Sequence, residues 1–151
     1  MLKAQLNEIL DFAIDREKEA VAFYQDLQKV AKFKNQKDLL NKFENMEKGH
    51  VQMLTEMKNK EIGDIKLKEV KNIKISNYLV EMEPSPDMDY QDILIIAMKR
   101  EEAATNLYKD LANEMVDDDE AKKLFTRLAQ EEAEHKLKFE ELYDKDILTE
   151  N

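Results

Sequence analysis

The chain has 151 residues, of which 38% are charged, and it carries a net charge of -10 with only two glycines and two prolines. Such a composition is typical of one domain built from long helices, and the negative charge disfavours nucleic acid or an anionic membrane as a partner. The sequence contains no cysteine, which excludes disulfides, thiolate metal sites and thiol nucleophiles from it.

The first predicted helix spans about residues 3–33, where apolar residues recur with the 3.6-residue period of one helix face. Its first turns already mix charged and apolar side chains, and no apolar run in the chain approaches the ~18 residues of a membrane helix. We therefore expect neither a signal peptide nor a membrane span, and a cytoplasmic location. The expected apolar face is Leu6, Ile9, Leu10, Ala13, Ile14, Ala20, Val21, Tyr24, Leu27 and Ala31.

The second predicted helix spans about residues 36–59 and has polar residues within its apolar face. Glu47 and His50 fall in this face, with Gly49 beside them. The glycine either allows close backbone packing, or sits in a π-bulge, or is a tolerated irregularity. The apolar members of the face are Leu39, Leu40, Phe43, Met46, Met53, Leu54 and Met57.

A link of residues 60–88 leads to the third and fourth predicted helices, at about 89–115 and 117–143. An acidic run supplies the N-cap and first turn of the fourth helix. The expected apolar faces are Leu94, Ala97, Met98, Ala104, Tyr108, Leu111 and Met115 in the third helix, and Ala121, Phe125, Leu128, Phe139 and Leu142 in the fourth.

The lengths of the connections predict the topology. Short turns near residues 34–35 and 116 favour two antiparallel hairpins, whereas the link 60–88 can return along a helix about 38 Å long. The predicted fold class is therefore all-α, a ferritin-like four-helix bundle of two helical hairpins joined by a long crossover, within one domain of residues 1–151. The crossover itself contains apolar residues, Val70, Ile73, Ile75 and Tyr78, and is expected to lie along the bundle with room for a short extra helix.

The two hairpins resemble each other in sequence. Residues of the first helix match residues 84 positions later, and those of the second helix match residues 85 positions later. A dozen matches in register, several of them polar, indicate a duplicated helical hairpin. The matched pairs include Ala13 with Ala97, Arg16 with Arg100, Glu17 with Glu101, Tyr24 with Tyr108, Leu40 with Phe125, Phe43 with Leu128, Glu47 with Glu132, and His50 with His135.

The repeated polar residues indicate a metal site. Both histidines of the chain follow a glutamate by three residues, a spacing that places the two side chains on one helix face. Buried without a metal, such charges would each cost several kcal/mol, whereas two divalent cations balance four carboxylates. Carboxylate with one imidazole per metal favours iron or manganese, and zinc is also able to bind. The predicted ligands are Glu17, Glu47, His50, Glu101, Glu132 and His135, the arrangement known for ferritin-like di-iron proteins.

Tyr24 and Tyr108 lie seven residues, two helical turns, after Glu17 and Glu101. A buried tyrosine needs a partner for its hydroxyl, and we expect that partner to be a ligand carboxylate or histidine. Both tyrosines are therefore predicted as catalytic positions. The carboxylates on other helix faces are expected to be solvated; they are Glu8, Glu19, Glu44, Glu102, Glu131, Glu134 and Glu140.

The ordered pattern of a glutamate and tyrosine on the first and third helices, with Glu-x-x-His on the second and fourth, resembles the rubrerythrin-like branch of the ferritin-like superfamily over essentially the whole chain. The resemblance implies two iron ions per chain that react with hydrogen peroxide or dioxygen. In rubrerythrins electrons arrive through a rubredoxin domain with cysteine-bound iron, so this cysteine-free sequence implies a separate electron-donor protein. Rubrerythrins also have an extra glutamate where this chain has Ala104.

Three functions follow as hypotheses. The first is a di-iron oxidoreductase that reduces peroxide or dioxygen. Such a protein would act in oxidative stress, and we expect it to form a homodimer. The second is a bacterioferritin-like ferroxidase or iron-handling protein, because the ligand set without the extra glutamate also resembles that centre. The third is a non-catalytic helical interaction module.

Overall fold

The computed structural model describes residues 2–59, 73–80, 90–115 and 118–145, with side chains from residue 5 onward in the first range. The described residues are mostly helical and contain no strand, which confirms the all-α prediction. None of the described helices is both long enough and apolar enough to cross a membrane. The elements are α1 (Leu2–Val30), α2 (Lys34–Asn59), a 3-10 helix called η1 (Ile75–Tyr78), α3 (Tyr90–Glu114) and α4 (Asp119–Tyr143).

The helix ends differ from the predicted ends by a few residues. The turn between α1 and α2 comes earlier than predicted, because α1 ends at Val30 and Lys34 already belongs to α2. At the start of α4, the side chain of Asp118 accepts a hydrogen bond of 3.0 Å from the backbone nitrogen of Ala121. This N-cap and the acids of the first turn stabilise the helix end, as the sequence predicted.

The chain divides into two compact units, Met1–Ile65 and Lys66–Asn151. In the first unit, α1 and α2 pack as a helical hairpin around buried side chains from both helices. The core side chains of this unit include Leu6, Ile9, Leu10, Ala13, Tyr24, Leu27, Phe43, Leu54 and Met57. Leu39, Met46 and Met53, which were expected on the buried face of α2, are only half-buried.

In the second unit, α3 packs against α4, and η1 packs against α3. The crossover is held there by the buried Tyr78, whose hydroxyl donates a 2.6 Å hydrogen bond to Oδ2 of Asp110. The crossover contains the short helix η1, for which the sequence left room; Val70 and the remainder of the link, residues 60–72 and 81–88, lie outside the described residues. That the crossover lies along the bundle stays a prediction. That residues 1–151 form one domain stays a prediction.

Candidate metal centre

The first cluster of predicted ligands lies in the first unit, and we call it the first triad: Glu17 on α1 with Glu47 and His50 on α2. All three side chains are at most 3% exposed. Nδ1 of His50 is 3.5 Å from Oε2 of Glu17 and 3.4 Å from Oε2 of Glu47. One ligand atom from each residue lies within 4.8 Å of the other two.

The second triad lies in the second unit and contains Glu101 on α3 with Glu132 and His135 on α4. These side chains are at most 2% exposed. Nδ1 of His135 is 3.6 Å from Oε2 of Glu101, and again one ligand atom from each residue lies within 4.8 Å of the others. Each hairpin of the repeat therefore assembles the same set, two glutamates and one histidine, from two helices.

Both triads fit a metal ion by their chemistry and their spacing. Carboxylate oxygen and imidazole nitrogen are the ligands that iron, manganese and zinc accept. The nitrogen–oxygen distances exceed the ~2.9 Å of a good hydrogen bond, and they are close to the ~3–3.5 Å between two ligands bound to one ion at ~2.1 Å. Burial of two carboxylates beside one imidazole is costly unless a cation balances them.

A model of the rubrerythrin family matches residues 8–144 of the chain. The chain belongs to the rubrerythrin family. No curated protein and no solved structure matches it. Membership confirms the predicted fold class, the ferritin-like four-helix bundle, and the matched region is the ferritin-like domain. Since the sequence has no cysteine, it contains no rubredoxin domain.

Members of the rubrerythrin family bind a di-iron centre, and the buried carboxylate and histidine groups of this chain are compatible with metal binding. That each of the six predicted residues is a metal ligand stays a prediction, as do the catalytic roles of Tyr24 and Tyr108.

Both tyrosines are buried, as predicted, at 1% exposure. The ring of Tyr24 contacts Phe43 with its centroid at 5.8 Å, and the ring of Tyr108 stacks on Phe125 at 6.4 Å. The two phenylalanines occupy different positions of the repeat, because Phe43 matches Leu128 whereas Phe125 matches Leu40. In each hairpin of this rubrerythrin-family chain, a phenylalanine of the opposing helix thus packs against the tyrosine, but from a different turn of that helix.

The expectation that Glu44 is solvated is wrong. Glu44 is only 7% exposed, and Lys48 and two glutamines surround its carboxylate. The hydrogen bond with Lys48 is the main cause that lowers the pKa of Glu44 below its ordinary value of 4.5. Its position, four residues after the buried Leu40 and three before Glu47, could have indicated burial from helix phase.

The remaining carboxylates largely follow the expectation. Glu8, Glu19, Glu102 and Glu134 are exposed, and Glu140 is intermediate. Glu131 is half-buried and accepts a 3.2 Å hydrogen bond from Nε of Arg127. Thr105, which no sequence pattern singled out, is buried and donates a 2.7 Å hydrogen bond to the backbone oxygen of Glu101.

Gly49 does not mark a close approach. Among the described residues, a Cβ atom built on this residue meets no atom within 4 Å apart from its chain neighbours and its own helix backbone, which argues against the close-packing alternative. The α-helical assignment is also continuous from Lys34 to Asn59, which leaves no π-bulge there. The third alternative, a tolerated irregularity in α2, is the one that agrees with the structure.

Proposed function

We propose that this rubrerythrin-family chain is a di-iron carboxylate oxidoreductase that reduces hydrogen peroxide or dioxygen and takes its electrons from a separate donor protein. One observation carries the proposal: each hairpin buries two carboxylates and one imidazole within 4.8 Å of each other. The proposal includes one ferritin-like domain over residues 1–151, a homodimer, a cytoplasmic location and a role in oxidative stress.

Each triad is proposed to hold one of two iron ions, and manganese or zinc could bind in their place. Four carboxylates supply the negative charge that two divalent cations require, and Nδ1 of His50 and His135 completes each triad. When bound, the iron pair supplies the two electrons that reduce the oxidant. The protein contributes the dry surroundings, since buried leucine and phenylalanine side chains of both hairpins exclude water.

Tyr24 and Tyr108 are proposed to orient a ligand carboxylate or histidine through their hydroxyl groups and to provide a proton to the reaction. Their rings are already fixed by Phe43 and Phe125. The Tyr24→Phe and Tyr108→Phe variants keep these ring contacts, so they remove the hydroxyl without opening a cavity. We expect them to retain the bound iron and to react about tenfold more slowly.

The function is tested by adding hydrogen peroxide to the anaerobic Fe(II)-loaded protein and following ferric absorption in a stopped-flow instrument. Two Fe(II) ions and two protons are consumed for each hydrogen peroxide reduced to two water molecules. We expect two Fe(II) ions oxidised per hydrogen peroxide, at a rate well above that of Fe(II) in buffer. After a chemical reductant has restored the Fe(II) state, a second addition of peroxide is expected to give the same ratio and rate. A rate equal to that of free Fe(II), or to that of a Glu47→Ala plus Glu132→Ala variant, would refute the proposal.

Ala104 favours a second candidate, a ferroxidase that treats iron as its substrate. This residue is half-buried and stands where rubrerythrins have an additional glutamate. A ferroxidase would release or mineralise Fe(III) after each oxidation and elute as a large cage, whereas the oxidoreductase retains its iron and elutes as a dimer. An interaction module, the third hypothesis, would bind no iron and be fully stable without it.

A further inference from the structure

Among the described residues, the buried polar side chains outside the two triads are Glu44 and Thr105. The hydroxyl of Thr105 bonds within its own helix, as threonine commonly does. Glu44 differs, because its carboxylate is bonded to side chains of both helices of the first hairpin. It therefore links two elements that each carry part of the first triad.

The contacts of Glu44 form what we call the Glu44 clamp, made of Gln25 and Gln28 on α1 and Glu44 and Lys48 on α2. Nε2 of Gln25 donates to Oε2 of Glu44 at 3.2 Å, and Nε2 of Gln28 donates to Oε1 at 2.8 Å. Nζ of Lys48 lies 2.7 Å from Oε2. Both carboxylate oxygens are thus held, and two of the three donors come from the opposing helix.

The clamp is also fixed to the backbone of α1. Nε2 of Gln28 donates a second hydrogen bond, of 3.2 Å, to the backbone oxygen of Tyr24. The side chain of Asn41 on α2 donates to Oε1 of Gln28 at 3.4 Å. Gln28 is therefore bonded to both helices, which restricts sliding of α1 along α2.

The repeat shows that the second hairpin lacks this device. The positions that match Gln28, Glu44 and Lys48 are alanines, and the position that matches Gln25 is a lysine. These residues are Ala112, Ala129, Ala133 and Lys109. Both hairpins of the repeat therefore retain the candidate metal ligands, but only the first has the residues of the Glu44 clamp.

The clamp lies close in the chain to the first triad, since Glu44 precedes Glu47 by one helical turn. A slip of one residue between α1 and α2 would displace Glu17 from Glu47 and His50 by about 1.5 Å. A metal site needs its ligands held to within about 0.5 Å. Buried polar contacts that fix helix register are the best-attested use of such groups.

We propose that Glu44 is a positioning residue that holds the first triad in register, so that one of the two metal sites is preorganised by contacts that the other lacks. This inference rests on the proposed function for its metal. The register itself is a property of the metal-free hairpin and is measured separately.

The register is tested first, without metal, by the distance between spin labels in the full chain. The native sequence has no cysteine, so labels attach only at introduced positions: the exposed Lys18→Cys with Gln52→Cys for the first hairpin, and Lys99→Cys with Lys138→Cys for the second. We expect Glu44→Ala, and equally Gln25→Ala with Gln28→Ala, to broaden or shift the first distance and not the second. An unchanged first distance in both variants would overturn the proposal.

The consequence for the metal is tested with Co(II) alone, by calorimetry and by its visible absorption bands. We expect both clamp variants to weaken one of two Co(II) sites about tenfold and to leave the other unchanged. The double glutamine variant keeps the charge of Glu44, so an equal effect shows positioning and not charge. The exposed Lys42→Ala on α2 is the matched control.

Equal weakening of both sites, or of neither, would contradict the positioning role. If the unmodified chain does not bind two Co(II) ions, the proposed function fails, and the label distances still decide whether the clamp sets the register.

Discussion

At the scale of single residues, Gly49 is a weak point of α2 that no packing requirement explains. The residue is half-buried in a continuous helix, and a Cβ atom there meets no atom of the described part of the chain within 4 Å outside its chain neighbours and its own helix backbone. Alanine has a higher helix propensity than glycine by about 0.8–1 kcal/mol. We expect Gly49→Ala to raise the free energy of unfolding by about that amount in a urea titration.

The control is a Gly49→Ser variant. Serine also adds a Cβ atom, but it has a lower helix propensity than alanine. Its stability is expected to lie between those of glycine and alanine. A Gly49→Ala variant less stable than the parent would show that this space is needed.

Glu44 makes the free energy of unfolding of the chain depend on pH in the acidic range. Its pKa is lowered in the folded state, mainly by the hydrogen bond with Lys48, so the folded protein favours the ionised form. The resulting stabilisation is fully present above the ordinary pKa of 4.5 and is lost as pH falls through the lower folded pKa. We expect the stability difference between the parent and Glu44→Gln to shrink on acidification below pH 4.5, as measured by urea unfolding at a series of pH values. A difference that stays constant or grows as pH falls would contradict this.

Residue patterns predicted the triads but not the clamp, for a physical reason. Glu47 and His50 interrupt an apolar helix face and recur as Glu132 and His135, so two independent signals pointed to burial. Glu44 has no counterpart in the repeat. Its helix phase could have indicated its burial, but its bonding partners include two glutamines of another helix, and contacts between helices cannot be seen in the periodicity of one helix.

At the scale of elements, the buried side chain of Tyr78 bonds η1 to α3. Burial is the main cause that raises the pKa of Tyr78, and its hydrogen bond to Asp110 adds to it. A tyrosine with a raised folded pKa stabilises the protein below its ordinary pKa of 10.0, and that contribution is lost as pH rises toward the folded pKa.

We expect Tyr78→Phe to lower the free energy of unfolding by about 1.5 kcal/mol at pH 8, because it removes a hydrogen bond to a charged group. Above pH 10 the difference in the free energy of unfolding between the parent and Tyr78→Phe is expected to shrink. The reason is that Tyr78 ionises in the unfolded parent, which stabilises the unfolded state. The measurement is urea unfolding at pH 8 and at pH 10.5. Asp110→Asn serves as the control, because it keeps a hydrogen-bond acceptor and removes the charge. A stability difference between the parent and Tyr78→Phe that does not change with pH would contradict this role of Tyr78.

The elements themselves were largely predictable, and their ends less so. The period of apolar residues located α1 to α4 over most of their length. The end of α1 was placed at residue 33, three residues beyond Val30, because no glycine or proline marks the turn there. Phe33, the predicted last residue of this helix, lies in the turn and is 62% exposed.

At the scale of the whole molecule, the duplication accounts for both the fold class and the candidate site. One hairpin supplies a glutamate from its first helix and Glu-x-x-His from its second, and the repeat supplies the same set again. The acidic composition suits a protein that binds cations and disfavours anionic partners. Membership of the rubrerythrin family shows the ferritin-like fold, and members of that family bind a di-iron centre, which the ligand types alone could not distinguish from a manganese or zinc site.

We propose that each of the two triads binds one iron ion. The most direct test is an anaerobic titration of the metal-free chain with Fe(II), in which the ions bound per chain are counted. We predict saturation at two Fe(II) per chain, and weaker or fewer binding events when Glu47→Ala removes one carboxylate. A folded protein that binds no Fe(II) tightly would contradict the proposed di-iron centre. A Glu47→Ala variant with unchanged stoichiometry and affinity would contradict the role of Glu47 as a ligand.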